Sequence, residues 1–211
     1  MDIFFKRSFS WFINLSLYNK LMKIIAGVDE VGRGSLIGPV YAAAVILNKK
    51  IDKKLLKDSK SISKDKRELL SKHIKKNSIW AIGKASVNEI DKINILQASL
   101  LAMKRAIKKL KKKPTYVLID GNKVPDLKNY NLKAVIKGDQ KVASISAASI
   151  IAKVARDKFI TKLAINNKGY GWQQNFGYGT KQHLQAIKKF GITKHHRKTF
   201  SPISGINTYN I

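Results

Sequence analysis

Lys23-Ile24-Ile25-Ala26-Gly27-Val28-Asp29-Glu30-Val31-Gly32-Arg33-Gly34 is the stretch on which the reading of this chain turns. Residues 24–28 are an apolar run of strand length, bounded by polar residues, and predict a buried strand. Two carboxylates follow at once. Residues 29–34 then read as a loop in which two glycines flank an arginine. Glycine has no Cβ, so such a turn lets the backbone approach a ligand closely. Gly32-Arg33-Gly34 lacks the third glycine of a dinucleotide fingerprint and no helical pattern follows it, so neither a Rossmann site nor a P-loop is expected. An acidic pair set directly before a Gly-Arg-Gly turn is hard to explain as structure alone.

Outward from this stretch, Gly38-Pro39 punctuates the chain before a second apolar run, residues 40–47, read as a strand. Residues 64–76 place Leu69, Leu70, His73 and Ile74 at helical spacing, with Ser63 as N-cap. Residues 78–87 predict a third strand. Ser86 and Glu89 form a candidate capping box that opens helical sequence, with a break, to Leu110. The lysine run 108–113 and Pro114 end it. Residues 115–119 and 132–136 read as two short strands, ending at Asp120-Gly121-Asn122 and Lys137-Gly138-Asp139. A long helix over 142–166, a Gly/aromatic loop over 169–179 and a helix over 181–190 complete the pass. Three early strands suggest an antiparallel meander, and the two later ones parallel additions. The expected class is α/β: a five-stranded mixed sheet flanked by helices, with a helical C-terminal part.

Composition narrows the chemistry. The 211 residues suit one domain, and 44% apolar content is ordinary for a globular protein. There is no cysteine, which excludes disulfides, thiolate-bound zinc, iron–sulfur clusters and a cysteine nucleophile. Lys plus Arg number 42 against 13 Asp plus Glu, a formal +29. Such a field attracts polyanions, but biased codon usage accounts equally well for an excess of Lys in a chain also rich in Asn and Ile. No apolar run is long enough to span a bilayer. Lys6 and Arg7 before the mostly apolar residues 9–18 faintly resemble a signal peptide, yet no small-x-small cleavage site follows. Met22, immediately before the first strand, is the better candidate for the start. Residues 1–21 are then an extension outside the native protein, and residues 22–211 the functional domain.

Acidic residues are scarce, so their positions carry information. Asp29-Glu30, Asp120 and Asp139 all fall where expected strands end. In sheets with parallel central strands, sites form beyond the carboxyl ends of those strands. If the first and fourth strands are parallel neighbours, Asp29 and Asp120 lie side by side. Clustered carboxylates repel one another unless a cation compensates them, and oxygen-only ligation suits Mg²⁺ or Mn²⁺. Bland readings stand beside this one. A strand-end Asp is commonly a turn residue, and Asp139 has the alternative of capping the long helix.

Several ordered motifs bring in a resemblance. Ala26 to Gly34 with Gly38-Pro39-Val40 resembles the signature of the ribonuclease HII family. The likeness continues through Asp58-Ser59-Lys60, Leu118-Ile119-Asp120-Gly121 and Lys137-Gly138-Asp139-Gln140-Lys141. It goes on through Ala147 to Val154 with Arg156-Asp157, through Gly177-Tyr178-Gly179-Thr180 with His183, and through His196-Arg197 with Phe200. The resemblance implies a ribonuclease H-like fold and a metal-dependent endonuclease that cuts RNA in RNA–DNA hybrids. It also implies nicking of duplex DNA at single embedded ribonucleotides, leaving 5′-phosphate and 3′-hydroxyl ends, as a step in ribonucleotide removal. It assigns Asp29, Glu30, Asp120 and Asp139 to two divalent ions, Mg²⁺ or Mn²⁺. It assigns Gly32, Arg33 and Gly34 to the ribose 2′-hydroxyl, and Tyr178 to the sugar at the RNA–DNA junction. Lys60 and Arg33 are the basic residues expected nearest the scissile phosphate.

Two departures from the family pattern are Asn175-Phe176, where a His-Lys pair is usual, and Ser61-Ile62, where Lys-Leu is usual. The first bears on a phosphate contact but leaves the tyrosine in place. His183 is expected to support the Tyr178 loop, Thr180 to cap a helix, and Asp157 to pair with a basic neighbour rather than bind metal. The expected protein is a cytoplasmic monomer acting on RNA–DNA hybrid or ribonucleotide-containing duplex, away from membranes. A non-catalytic basic protein that coats nucleic acid is the competing class, but it has no reason to place carboxylates at strand ends.

Overall fold

The computed structural model of the chain describes residues 23–57 and 62–206. The extension 1–21, the alternative start at Met22 and the Asp58-Ser59-Lys60 motif, Lys60 included, lie outside the described residues. The elements in chain order are β1 Ile25–Val31, β2 Val40–Ile46, α1 Lys54–Lys57, α2 Lys64–Asn77, β3 Ile79–Ala85, α3 Val87–Lys108, β4 Tyr116–Asp120 and β5 Leu132–Val135. They continue with α4 Gly138–Lys141, α5 Ala143–Asn166, α6 Trp172–Asn175, α7 Lys181–Phe190 and a final 3₁₀ turn at Ile203–Gly205.

The sheet has the order β3-β2-β1-β4-β5. β1 pairs antiparallel with β2 and parallel with β4; β2 pairs antiparallel with β3, and β4 parallel with β5. This is the expected mixed sheet, a meander with two parallel additions. Its first strand runs further than expected. Asp29, Glu30 and Val31 pair with Ala43, Ala42 and Tyr41, so the acidic pair lies in the strand and not in the loop after it. The cross-strand ladder supplies what local sequence did not, because β2 runs alongside to its first residues and satisfies the backbone there.

Helices cover both faces. Ala26, Val28, Val117 and Ile119 face α3, against Ala98, Ala102, Met103 and Ala106. Ala43 and Val45 face α5, against Ala147, Ala148, Ile151 and Ala152. The contacts are close because the residues are small. A Cβ on Gly27 would stand 2.2 Å from the Ile145 nitrogen, and one on Gly83 2.1 Å from the Ala102 oxygen. A third cluster joins Leu36 and Ile37 to Ile160, Trp172, Ile187 and Ile203, and so fastens the C-terminal helices beside the loop that follows β1.

The helix ends follow their capping chemistry. The Ser63 side chain accepts from the Lys66 amide, and Ser86 with Glu89 forms the complete reciprocal box. The expected break in α3 falls at Asn94, whose backbone is left-handed and extended (φ 63°, ψ 166°). Its Oδ1 accepts from the amides of Leu96 and Gln97, so it caps the second half. The expected helix over 142–166 is preceded by the separate short α4. Val142, in extended conformation, divides the two.

Candidate active site

β1 and β4 are parallel neighbours whose last paired residues are Val28 and Ile119. Asp29 and Asp120 are each the next residue, so they stand side by side at the carboxyl end of the sheet. Alternation along a strand sends Val28 and Ile119 into the α3 core, and therefore Asp29 and Asp120 to the α5 side. Ser149 of α5 lies close enough there to favour the Asp29 carboxylate. Glu30, one residue on, points to the opposite face and turns to Arg33, whose Nη1 lies 3.3 Å from Glu30 Oε1.

The carboxylates are held by protein donors. Asp29 is 6% exposed, and its Oδ1 accepts from the Glu30 amide at 2.7 Å. Asp120 Oδ1 accepts from the Gly138 amide at 2.6 Å, which ties the end of β4 to the first residue of α4. Burial, then the charges of Glu30 and Asp120, push the Asp29 carboxyl up to about 7, against Ser149 and the hydrogen bond from the Glu30 amide. Glu30 is also raised, chiefly by burial, with Arg33 partly offsetting it and Asp120 adding to it. Asp139 follows Gly138 in the same short helix and is half-buried.

Asp29, Glu30 and Asp120 thus act on one another electrostatically. Among the described residues, however, no three Asp, Glu or His side chains gather closely enough to cage an ion. Each carboxylate is instead engaged by a donor of its own: the Glu30 amide for Asp29, Arg33 for Glu30 and the Gly138 amide for Asp120.

The Gly-Arg-Gly loop and Tyr178 come together as a second part of the site. Ser35 bridges Tyr178 in antiparallel fashion, and the Leu36 amide donates to Gly177 O at 2.8 Å. A Cβ on Gly34 would lie 4.0 Å from Tyr178 Cε1, so the tyrosine ring stands beside the loop. His183 is fully buried and supports this arrangement, its Nδ1 at 3.0 Å from Tyr178 O and its Nε2 accepting from Trp172 Nε1 at 2.9 Å. Thr180 caps α7, and Asp157 pairs with Lys153 at 2.9 Å, both as expected. Asn175 is a loop-builder: its Nδ2 donates to Tyr170 O and its Oδ1 accepts from the Gly177 amide, both at 2.8 Å.

Two residues without an assigned role from sequence prove central to the loop. Arg156 and Arg197 are both fully buried, with 0% exposure. Arg156 donates to the carbonyls of Ile37 (3.2 Å), Phe176 (3.2 Å) and Pro39 (3.4 Å). Arg197 donates to those of Gly32 (2.7 Å), Arg33 (2.8 Å) and Gly38 (3.0 Å). A signal for Arg156 was present. It lies four residues from Ala152 and from Ile160, on the buried stripe of α5, where a guanidinium must find acceptors.

Comparison with known proteins bears on what this arrangement is. Residues 26–203 match the family described as Ribonuclease HII. The ribonuclease HII of Pelagibacter ubique is 78% identical over 185 residues, covering 88% of this chain and 100% of that one. The ribonuclease HII of Roseobacter denitrificans is 50% identical, covering 85% and 90%. Among solved structures, the ribonuclease H2 of Pyrococcus horikoshii superposes with a TM-score of 0.71 at 28% identity, covering 86% of this chain and 95% of that one. The sheet order, the paired aspartates and the loop beside Tyr178 sit within the matched span. This chain belongs to the ribonuclease HII family and is an endoribonuclease.

Proposed function

We propose that the protein hydrolyses the RNA strand of RNA–DNA hybrids and nicks duplex DNA at single embedded ribonucleotides, serving ribonucleotide removal in DNA. The observation that carries this reading is the juxtaposition at one sheet edge of Asp29 and Asp120 with the Gly32-Arg33-Gly34 loop and Tyr178. The first pair handles a phosphodiester; the loop and ring meet a sugar.

The donor set fits divalent metal. It is all oxygen, it is crowded with like charge, and among the described residues Arg33 is the one cationic side chain hydrogen-bonded to Glu30. Asp29, Glu30, Asp120 and Asp139 would hold Mg²⁺ or Mn²⁺. Held there, such ions would supply activation of a water and stabilisation of the leaving oxygen of a phosphodiester. The products are a 5′-phosphate and a 3′-hydroxyl. The chain's own residues do the rest. β1 and β4 fix Asp29 against Asp120, and the Glu30 amide orients Asp29 beside Ser149. The amides of the loop face the ribose, whose 2′-hydroxyl separates RNA from DNA, and the Tyr178 ring packs on the sugar.

Asp29→Asn tests this. Cleavage of a duplex bearing one ribonucleotide falls roughly a thousandfold or more, while gel-shift affinity for the duplex survives. Full turnover by the variant would remove Asp29 from the reaction.

A further inference from the structure

The Gly32-Arg33-Gly34 loop is held from below by a fork. The Nη2 and Nη1 atoms of Arg197 donate to the carbonyls of Gly32 and Arg33 at 2.7 and 2.8 Å, and Nε donates to Gly38 O at 3.0 Å. The Arg197 amide itself donates to Leu36 O at 2.8 Å. Arg156 takes the carbonyls of Ile37 and Pro39, and its Nε occupies the space a Gly32 side chain would need. The carbonyls of this loop therefore point into the protein.

Peptide geometry gives the consequence. In a trans peptide the C=O of one residue and the N–H of the next point to opposite sides. Pulling Gly32 O inward turns the Arg33 N–H outward, and pulling Arg33 O inward turns the Gly34 N–H outward. Neither amide donates to a backbone acceptor among the described residues. The two are successive, and Gly34 lies beside Tyr178, whose ring a Cβ there would approach to 4.0 Å.

We propose that Arg197 is a positioning residue for substrate recognition: by holding the Gly32 and Arg33 carbonyls it turns the Arg33 and Gly34 amides outward as a paired donor for the oxygen of a ribose 2′-hydroxyl. This rests on the reading above that the loop meets the ribose. It adds the device that sets the loop's polarity, and it assigns Arg156 the neighbouring task of fixing the Tyr178 segment through Phe176 O. A lysine cannot replace Arg197. Its ammonium is a compact charge on a flexible stem and does not span three carbonyls as a planar guanidinium does.

R197K keeps the charge and removes the fork. Binding is measured without divalent ions, so that nothing is cut, to two duplexes of one sequence: one with a single ribonucleotide, one all DNA. The wild type prefers the first. In R197K that preference shrinks about tenfold, the size of one lost hydrogen bond to a charged or well-aligned group, while all-DNA affinity holds. With the ribonucleotide substrate and metal present, KM rises more than kcat falls. A preference retained in R197K overturns the proposal, as does an equal loss of both affinities, which is the mark of general structural damage. A wild type with no preference removes the ribose-reading role of the loop itself, and this proposal with it. Should R197K not fold, the wild type alone decides by NMR. The Arg33 and Gly34 amide resonances move with the ribonucleotide duplex and not with all-DNA; amides that stay still in both titrations overturn the proposal.

Discussion

At Gly32 and Gly34 one residue type serves two purposes. Gly32 has φ +91°, and a Cβ there would lie 2.1 Å from Arg156 Nε. Gly32→Ala is both strained and overpacked against a buried guanidinium, and costs about 2 kcal/mol or more, read as a lower melting temperature. Gly34 has no such crowding, its nearest neighbour being the Tyr178 ring at 4.0 Å. Gly34→Ala melts as the wild type does, yet loses activity on the embedded ribonucleotide, because the methyl fills the gap between loop and ring. Equal melting losses in the two variants would refute this division. The buried histidine gives a prediction of the same scale. His196 Nδ1 accepts from the Thr193 amide at 2.8 Å, while its Nε2 is buried with no hydrogen-bond partner among the described residues. The ring faces His183, Tyr170 and Trp172, with His195 next in the chain. Burial first, then His183, lower its pKa to about 4. The unfolded chain therefore takes up the proton first as pH falls. The stability this group confers is complete above pH ~6.5 and is lost on the way down to about 4, about 3 kcal/mol in all. His196→Asn keeps an acceptor for Thr193 and flattens the melting temperature between pH 7 and 5 relative to wild type; parallel pH profiles would refute it.

Among the elements, what was legible followed from period and capping. Residues 181–190 and the Ser86–Glu89 box appear where their side chains predict, since capping is local chemistry. The box is worth testing by Ser86→Ala. It leaves the Glu89 amide without its acceptor, while Glu89 stays engaged by Arg105 at 2.6 Å, so the loss is about 1 kcal/mol rather than the collapse of α3. A loss of several kcal/mol in denaturant titration would mean that the box also orders the 194–199 segment, which Asp91 of the same helix turn holds through the amides of Lys198 and Thr199. What was not legible was short or non-local. α1, α4 and α6 have four residues each, too few for a helical period to show. The two extra residues that carry Asp29 and Glu30 into β1, and Val31 after them, depend on a partner strand and not on their own propensity. For the candidate site, Asp29, Glu30, Asp120 and Asp139 could be read from sequence as acidic residues near strand ends, whereas Tyr178 came only with the family resemblance. The inward carbonyls could not, because they depend on two arginines lying 117 to 165 residues away in the chain.

For the whole molecule, the +29 charge is the property the sequence left ambiguous between composition and function. The fold provides a way to tell the two apart. The sheet has two edges. The ends of β1 and β3 and the start of β2 share one, with Val40 opposite Ala85 and Val31 opposite Tyr41. The starts of β1 and β4 share the other, with Ile25 opposite Tyr116. The candidate active site lies at the first edge. So does a cavity of about 380 Å³ whose lining includes Gly38, Pro39, Lys84, Lys194 and His195 and no carboxylate. The lysine run ahead of Pro114 lies toward the second edge, where β4 begins. A duplex that crosses the active-site edge is expected to meet Lys84 and Lys194, which line that cavity, and to leave the exposed Lys111 and Lys112 in solvent. Each phosphate neutralised adds about 0.9 to the slope of log affinity against log salt, because condensed counterions are released. Lys84→Ala with Lys194→Ala therefore makes that slope shallower by about 2. Lys111→Ala with Lys112→Ala leaves it unchanged, though both pairs remove the same net charge. Equal effects from the two pairs would mean that the field acts as a diffuse cloud and that the excess lysine is compositional. Unequal effects would show that only the charge at the site's own edge is used.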